Sequence, residues 1–454
     1  MPRPVRSLHR LAAALVLAAP HLAATALGAG CPCGSAADDR TAAAAGLVRE
    51  WIVQLPFNSA TGRLEHVVVG DGIVAAQSTG GSVHAIRSAS SGAVGPRAGT
   101  VAWSRAIGDV TGHAWPPAVG SRLVVVATEM DVHAIDRDSG AMLWERSTTT
   151  TTAGAAAQAG AWVYVPLQTH RMLRLPVDPL VQPAVEPAPE VKPASARRSG
   201  GAPAEPPTAP ESLEPLSIDL GGALDTWPVV MAGGVLWSTD VGLVGLERTP
   251  LGWIRHALPE SSPPSWVRRS ALALAGPPTV RDSEIFIATT AGYIARIDIN
   301  AKNRPGLRTA WRSPLPEQAS SAPLVSSETL VVALGPAGIA AFSADDGREL
   351  WRTDLVGTPV AIAGRRAWVL DNVGRLSALD LGTGSRRQSL NLGCFTLPVV
   401  NTLTERIVLA SPEGLVASLA PPAAPAAPAK RRPVSDGDRP PAEPAPEDPD
   451  ATPR

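Results

Sequence analysis

Cysteine and histidine are the most chemically versatile residue types in this chain, and both are sparse. The 454 residues include 3 cysteines and 8 histidines. Cys31 and Cys33 are close together in the sequence, whereas Cys394 stands alone. Because no C-x-x-C pair and no histidine cluster accompanies Cys31, the spacing does not predict a zinc site. Three cysteines are also too few to build a fold on disulfides.

His84 and His133 occupy equivalent places in two copies of the sequence V-H-A-I. To share a metal ion, each histidine would need a ring nitrogen within about 2 Å of that ion. Equivalent positions on neighbouring repeat units are too far apart for this. We therefore predict that both are surface or seam residues and that the chain holds no metal. No G-x-S-x-G, H-E-x-x-H, phosphate-binding loop or dinucleotide fingerprint stands in a suitable setting. The sequence thus indicates no catalytic residue.

A third group of candidates combines a tryptophan with a polar neighbour ahead of a proline. G-H-A-W-P-P contains His113 and Trp115, and L-D-T-W-P contains Asp225 and Trp227. If the strands that follow surround a central funnel, these side chains lie where partners dock, and an exposed indole is a typical interface anchor. The alternative interpretation is that both indoles only fill the pore.

The elements that must position these residues are short strands in a repeated unit. Ala134–Trp144 and Ala341–Trp351 share an Ala, a turn Gly and a Trp at the same spacing. Copies of the unit are centred on Ile86, Ile135, Leu175, Leu246, Ile297, Phe342, Leu379 and Leu419. Four short strands per unit of about 40 residues predict an all-β fold, an eight-bladed β-propeller of four-stranded antiparallel blades.

Two proline-rich segments frame the limits of this domain. Residues 176–215 separate two units, and residues 422–454 end the chain. Neither segment has enough apolar surface to offset the entropy lost on ordering. We therefore predict a propeller over 49–421, with a disordered insert at 176–215 and a disordered tail at 422–454.

Ring closure follows from counting the outer strands. Eight units need eight outer strands, and the last unit ends without one. The segment Glu50–Pro56 (E-W-I-V-Q-L-P) supplies the missing strand near the N-terminus. Its pairing with the last unit would remove an open sheet edge.

The outer strands carry a recurring tryptophan, although aromatic residues are otherwise scarce. These residues are Trp51, Trp103, Trp144, Trp253, Trp311 and Trp351. We predict that each is structural and fills the seam between two blades beside the small Ala of its unit. Leu216 and Gln388 stand near this place in units three and seven, so those two seams should be weaker.

The first 30 residues have the pattern of a secretory signal peptide. Arg3, Arg6 and Arg10 precede the apolar run Leu11–Ala19, and small residues follow. We assign 1–30 to the signal peptide and 31–48 to a linker, and no later stretch is long enough to span a membrane. The formal net charge of −1 does not favour nucleic acid as a partner.

The position of signal cleavage decides whether the protein is anchored. L-G-A-G-C at Leu27–Cys31 resembles an imperfect bacterial lipobox, which would make Cys31 a lipid anchor. Cleavage after Ala26 or Gly28 would instead release a soluble protein. The sequence leaves both outcomes open.

The repeat resembles the tryptophan-docking motif of the PQQ-like propeller superfamily, A-x-D-x-x-[ST]-G-x-x-x-W. Ala134, Asp136, Ser139, Gly140 and Trp144 match it fully. The resemblance covers about 50–421 and implies the fold, but it leaves the activity open. One branch, the quinoprotein alcohol dehydrogenases, holds PQQ and Ca²⁺ and carries an adjacent cysteine pair that this chain lacks. A divergent PQQ- and calcium-dependent dehydrogenase is therefore the alternative hypothesis.

The other branch is the non-catalytic, exported group similar to BamB. This resemblance implies a scaffold without a cofactor, located in the periplasm or at the outer-membrane periphery of a Gram-negative-type bacterium. Other envelope proteins would be its partners, and outer-membrane protein assembly its process. We expect a monomer. The long insert, the tail and the imperfect lipobox depart from that branch.

Overall fold

The computed structural model describes most of the repeat region. The described residues are 37–59, 62–89, 97–108, 114–178, 216–231, 234–240, 242–249, 252–258, 273–299 and 306–422. The expected signal peptide, Cys31, Cys33 and His113 lie outside them, as do 179–215 and 423–454. None of the helices in the described ranges is long and apolar enough to cross a membrane.

The described chain forms eight four-stranded antiparallel sheets. The first four blades, in chain order, contain β2 (Leu64–Val69), β3 (Ile73–Ser78), β4 (Ser82–Arg87) and β5 (Val101–Ala106); β6 (Ala118–Val119), β7 (Leu123–Ala127), β8 (Asp131–Asp136) and β9 (Met142–Ser147); β10 (Ala157–Ala159), β11 (Trp162–Leu167), β12 (Arg171–Pro176) and β13 (Leu216–Asp219); and β14 (Leu224–Met231), β15 (Gly234–Thr239), β16 (Gly242–Thr249) and β17 (Gly252–Leu258).

Blades five to eight follow the same order, from an inner to an outer strand. They contain β18 (Thr279–Arg281), β19 (Glu284–Ala288), β20 (Tyr293–Ile299) and β21 (Leu307–Pro314); β22 (Leu324–Val325), β23 (Thr329–Ala333), β24 (Ile339–Ser343) and β25 (Glu349–Thr353); β26 (Thr358–Ala363), β27 (Arg366–Leu370), β28 (Arg375–Asp380) and β29 (Arg386–Asn391); and β30 (Leu397–Pro398), β31 (Ile407–Ala410), β32 (Leu415–Ala420) and β1 (Val48–Gln54). This arrangement confirms the predicted eight-bladed all-β propeller.

The core lies in the seams between blades rather than in one central layer. Second strands such as β7 (L-V-V-V-A) and β23 (T-L-V-V-A) are buried at every position, because both faces of a blade pack against neighbours. Outer strands alternate instead: in β9 only Trp144 is buried, and the flanking residues retain solvent contact. All eight predicted repeat centres lie on the third strand of a blade.

The outer strand of blade eight comes from the other end of the chain. β1 pairs antiparallel with β32, with Val48 opposite Ala420 and Gln54 opposite Leu415. The observed strand begins and ends two residues before the predicted segment Glu50–Pro56. Its Glu50 also forms an ion pair with Arg406 of the same blade, with 2.6 Å between Oε2 and Nε.

Four of the docking tryptophans join successive blades through hydrogen bonds. Trp51, Trp103, Trp144 and Trp351 are each less than a tenth exposed, and Trp311 is half-buried. Trp103 pairs with Ala85 of its own blade and donates its indole N–H to the carbonyl of Arg137 in the next blade, at 2.8 Å. The same bond joins Trp144 to Val177, Trp311 to Ala344 and Trp351 to Leu381. The side chain of Trp253 lies outside the described residues.

In four units the turn glycine packs against the tryptophan of the preceding blade, as Gly140 does against Trp103. Gly140 has a φ of +72°, and a Cβ added there would lie 2.5 Å from the Trp103 ring. Glycine is therefore required twice, by the left-handed backbone and by the close approach of the indole. The sequence spacing of Gly and Trp within one unit thus reflects contacts between two units.

In blade seven, which has Gln388 at the tryptophan position, the N-terminal segment of the chain fills the seam instead. Helix α1 (Asp39–Ala44) and the residues after it pack into the seam between blades seven and eight. Gln388 donates from Nε2 to the carbonyl of Ala44, and Arg366 donates to the carbonyl of Ala45. The segment assigned to the 31–48 linker is therefore, from Ala37 onward, part of the core. It fills the seam that was expected to be weak.

The start of the proline-rich insert also differs from the sequence boundary. Pro176 is the last residue of β12, and Val177 is buried and accepts the indole N–H of Trp144. These two residues, which the sequence places in the insert, therefore belong to the end of blade three. Their carbonyl and side chain complete the seam between blades two and three.

Candidate functional site

The two ends of the ring provide the surfaces on which a partner could dock. All inner strands of a propeller run in the same direction. We call the end at which they begin the front rim and the end at which they finish the back rim. Of the residues predicted to bind partners, Trp115, Asp225 and Trp227 precede or begin inner strands and therefore belong to the front rim.

Trp115 is fixed on the front rim by contacts with blade three. It is half-buried and packs against the apolar cluster between blades two and three. Its indole N–H donates to Oγ1 of Thr152 at 2.9 Å, and that hydroxyl donates to the carbonyl of Thr128 at 2.6 Å. The ring orientation is thus set by a short polar chain. His113 lies outside the described residues.

Trp227 lies close to the same segment of blade three. It is half-buried and lies on β14, where the pairing with β15 is irregular. A Cβ placed on Gly154 would lie 3.4 Å from the Cβ of Trp227. Gly154 is two residues beyond Thr152, the partner of Trp115. The structure therefore brings Trp115 and Trp227 against the two ends of one short segment, 152–154.

Asp225 connects blade four to blade five. Its Oδ2 accepts a hydrogen bond from the backbone N–H of Leu274 at 2.6 Å and a longer one from the hydroxyl of Ser238 at 3.4 Å. Desolvation of the carboxyl raises the pKa of Asp225, those two hydrogen bonds oppose the rise, and the Asp240 carboxylate adds to it. The carboxyl group of Asp225 thus accepts hydrogen bonds from both blades on the front rim, beside Trp227.

The back rim carries a second concave surface, which the sequence did not single out. It is a cleft of about 300 Å³ lined by residues of blades six, seven and eight. Leu403 is 61% exposed there. Its loop is held by Asn401, whose Oδ1 accepts from the backbone N–H groups of Leu403 and Thr404. The sequence N-T-L-T, which follows the strand segment L-P-V-V, could have indicated this loop, because an Asn directly after a strand favours an Asx turn.

His84 and His133 both lie in seams rather than at a shared site. His84 is 1% exposed and its Nδ1 lies 2.8 Å from the hydroxyl of Ser104. Burial lowers the pKa of His84 to about 4, and it also lowers the pKa of His133 against the opposing effect of Glu145. Within the described ranges, no three His, Cys, Asp or Glu side chains are grouped so that they could hold a metal ion.

The blades and their docking tryptophans define a propeller of the PQQ-like repeat class. Residues 87–176 and 230–410 match the family described as outer membrane protein assembly factor BamB, and the chain belongs to this family. The match extends from the end of the third strand of blade one to the second strand of blade eight. It excludes most of the proline-rich insert.

Solved structures agree with the fold. BamB from Moraxella catarrhalis superimposes with a TM-score of 0.56 at 18% identity, over 82% of this chain and 97% of that chain. The computationally designed Ika8 protein superimposes with a TM-score of 0.53 at 10% identity, over 82% of this chain and 98% of that chain. No curated protein sequence matches the chain.

Proposed function

We propose that the protein is an exported, non-catalytic propeller that binds other proteins of the cell envelope and takes part in outer-membrane protein assembly. The observation that carries this proposal is the match of two long segments to the BamB family. Function depends on a site as well as on a fold, so the proposal also needs a docking surface. The front rim provides it.

The front rim has the chemistry of a protein interface. Trp115 and Trp227 are half-buried and both lie close to segment 152–154, where a hydrogen bond to Thr152 fixes the ring of Trp115. Rigid indoles lose little conformational entropy on binding and bury a large apolar area. Polar groups near them, including Asp225, would orient a bound partner through hydrogen bonds. We therefore propose that partners dock across blades two to four.

The disulfide of Cys394 supports an extracytoplasmic location. Disulfides persist in oxidising compartments such as the periplasm and are rare in the cytosol of most bacteria. We propose that the protein acts as a monomer in the periplasm or at the outer-membrane periphery of a Gram-negative-type bacterium. A lipid on Cys31, which lies outside the described residues, would hold it at the membrane.

The residues present do not fit the alternative, a PQQ- and calcium-dependent dehydrogenase. That branch carries an adjacent cysteine pair, and the three cysteines here are Cys31, Cys33 and Cys394. No two of them are adjacent in the sequence. We propose that the protein uses no cofactor. We therefore expect a titration with PQQ and Ca²⁺ to leave the melting temperature unchanged. If PQQ did bind, a concentration of 100 times its Kd would stabilise the protein by about 2.7 kcal/mol and raise the melting temperature.

The experiment that tests the scaffold function uses front-rim variants in the native host. Trp115→Ala, Trp227→Ala and the double variant replace a strain's own copy, and Leu403→Ala on the back rim is the matched control. We expect the front-rim double variant to lose co-purification of the outer-membrane assembly machinery and to lower outer-membrane β-barrel protein levels. Equal levels in the double variant and the control, with all variants folded, would refute docking at the front rim.

A further inference from the structure

The seam between blades eight and one differs from the seams that the other docking tryptophans fill. Trp51 of β1 packs there and is 6% exposed. Its indole N–H is buried and has no hydrogen-bond partner among the described residues. In four other seams the acceptor is the carbonyl directly after the third strand of the next blade. Ser88 has this position in blade one, but Trp51 does not donate to it. Because a buried N–H without a partner costs free energy, this seam is held less tightly than those four.

His84 is buried in the same seam. It is 1% exposed and lies on the face of β4 that also carries Ile86, which packs with Trp51. The centroids of the His84 and Phe57 rings are 5.9 Å apart. Nδ1 of His84 lies 2.8 Å from the hydroxyl of Ser104, whereas Nε2 has no hydrogen-bond partner in the described part of the chain. Burial lowers the pKa of His84 to about 4, without a contribution from a neighbouring charge. The seam therefore disfavours the charged form of this ring.

Blade one also contains a buried amide on its other side. Gln77 is 0% exposed and lies two residues after Ala75, on the face of β3 that packs against blade two. Neither polar atom of its side chain has a hydrogen-bond partner within the described ranges. Removing an amide from water without replacing its hydrogen bonds is unfavourable. This cost would disappear if the seam opened, since water would then reach the amide.

His133 of blade two faces this second seam. It is 3% exposed and lies two residues before Ile135, which packs against blade one. Its Nδ1 has no hydrogen-bond partner among the residues that the structure describes and lies 3.8 Å from Oε2 of Glu145. Burial lowers the pKa of His133, and the carboxylates of Glu145 and Asp131 oppose this effect. Blade one therefore has a buried histidine in each of its two seams.

Other basic side chains that join blades one and two keep their contacts when the pH falls. Nε2 of His66 lies 3.0 Å from the carbonyl of Ala114. A neutral or charged imidazole can donate from this nitrogen, so protonation preserves the bond. Arg137 donates to the carbonyl of Asp71 and stays charged. Among the described histidines, those in the two seams of blade one are the ones less than a tenth exposed. The response of the described histidines to acid is thus concentrated at blade one.

We propose that blade one is an acid-sensitive segment of the ring, which protonation of His84 and His133 releases from blades eight and two while the other seams stay packed. Above pH 6.5 both rings are neutral whether the seams are closed or open. As the pH falls below this value, open seams allow the rings to bind protons that closed seams exclude, so opening becomes more favourable. Local opening of one structural unit needs less free energy than global unfolding. The buried, unpaired groups of Trp51 and Gln77 lower this free energy further.

Hydrogen–deuterium exchange of the full-length protein, followed by mass spectrometry at pH 7 and pH 5, tests where the ring opens. After correction for the intrinsic effect of pH on exchange, we expect peptides covering β3 and β4 to exchange roughly tenfold faster or more at pH 5. Peptides covering β19 and β23 of blades five and six should keep their protection. Unchanged protection of blade one would overturn the proposal. An equal loss of protection in all blades would also overturn it, because the opening would then be global.

Histidine variants test whether these two rings cause the opening. The double variant His84→Asn and His133→Asn carries side chains that do not titrate in this range. We therefore expect β3 and β4 of this variant to exchange at nearly the same corrected rate at pH 7 and pH 5. His170→Asn is the matched control, because His170 is exposed on blade three and its replacement should leave the parent behaviour unchanged. Acid-induced exchange that persists in the double variant would refute the role of His84 and His133.

A pair of tryptophan variants tests the weak seam without changing a titratable group. Trp51→Phe removes an N–H that has no described partner, whereas Trp351→Phe removes the hydrogen bond to the carbonyl of Leu381. We expect Trp51→Phe to lower the melting temperature at pH 7 less than Trp351→Phe does. An equal or larger loss in Trp51→Phe would contradict the weak docking of this seam. These measurements use the isolated protein, so their outcome is independent of the proposed binding to envelope partners.

Discussion

At the scale of single residues, four of the docking tryptophans combine apolar packing with one directed hydrogen bond. Trp351 pairs with Ala341 of its own blade, contacts Gly384 of the next blade and donates to the carbonyl of Leu381 at 2.7 Å. Its neighbour Leu350 is 38% exposed on the opposite face of the strand. Two adjacent positions therefore differ almost entirely in whether they face the seam.

We expect Trp351→Ala to destabilise the propeller by about 3–5 kcal/mol, the usual cost of truncating a buried aromatic residue. Leu350→Ala, the matched control on the same strand, should cost less than about 1 kcal/mol because it removes a partly exposed side chain. Urea unfolding of both variants measures the free energies. Similar losses in the two variants would contradict the seam position of Trp351.

Buried histidine makes stability depend on pH in a defined direction. The pKa of His84 falls from 6.5 to about 4 on folding because burial disfavours the charged ring. Above pH 6.5 the ring is neutral in both states. As the pH falls from 6.5 toward 4, the unfolded chain binds a proton that the folded chain excludes. Folding should therefore lose about 3 kcal/mol over this interval from His84.

The variant His84→Asn tests this effect, since Asn can keep a polar contact with Ser104 without titrating. We expect the fall in unfolding free energy between pH 6.5 and 4 to be smaller in His84→Asn than in the parent. His170→Asn is the control: His170 is exposed and has a φ of 59°, which Asn tolerates. A pH dependence that remains unchanged in His84→Asn would show that other groups cause it.

At the scale of the element, the turn between the third and fourth strands joins two blades. Gly384 has a φ of +69°, and a Cβ there would lie 2.5 Å from Cε3 of Trp351. Gly364 has a similar φ of +58°, but a Cβ there would meet no atom within 4 Å. The two glycines share the backbone requirement and differ in the contact with a tryptophan.

Substituting Gly384 and Gly364 distinguishes the cost of a strained backbone from the cost of displacing the indole of Trp351. Gly364→Ala should cost about 1 kcal/mol, the usual price of a left-handed non-glycine residue. Gly384→Ala should cost about 1–3 kcal/mol more, because the indole must move. Chemical denaturation of the two variants gives the difference. Equal losses would mean that the contact with Trp351 is not tight in solution.

At the scale of the whole molecule, the last blade contains a strand from near the start of the chain. β1 supplies the outer edge of blade eight, and the residues before it fill the adjacent seam. Removing residues 31–60 would expose the edge of β32 beside an apolar surface, and such edges associate with other chains. At the other end, β32 finishes at Ala420, and the sequence predicts a disordered tail from residue 422.

We expect the protein lacking residues 31–60 to aggregate or to melt at a lower temperature. The protein shortened after Pro422 should remain monomeric and melt like the full chain. Size-exclusion chromatography with light scattering and calorimetry distinguish these outcomes. A monomeric N-terminal truncation with an unchanged melting temperature would exclude β1 as an essential closing strand.

The sequence by itself determined the number of blades, the strand order and the docking positions. These follow from local information: β-branched runs, turn residues, and an Ala–Gly–Trp spacing that recurs because each unit meets the same environment. The turn at Asp136 and Gly140, for example, can be predicted from the sequence because the hydrogen bond and the backbone conformation that form it involve only neighbouring residues. Repetition strengthened a signal that one copy alone would carry weakly.

Only the tertiary structure decided which units exchange contacts and what occupies the irregular places. Gly140 serves Trp103, Trp115 and Trp227 lie against segment 152–154, and α1 fills the seam at Gln388. These contacts join residues that are distant in the chain or present once, so no periodicity marks them. Long-range packing of non-repeated side chains is set by three-dimensional proximity, which a linear pattern does not contain.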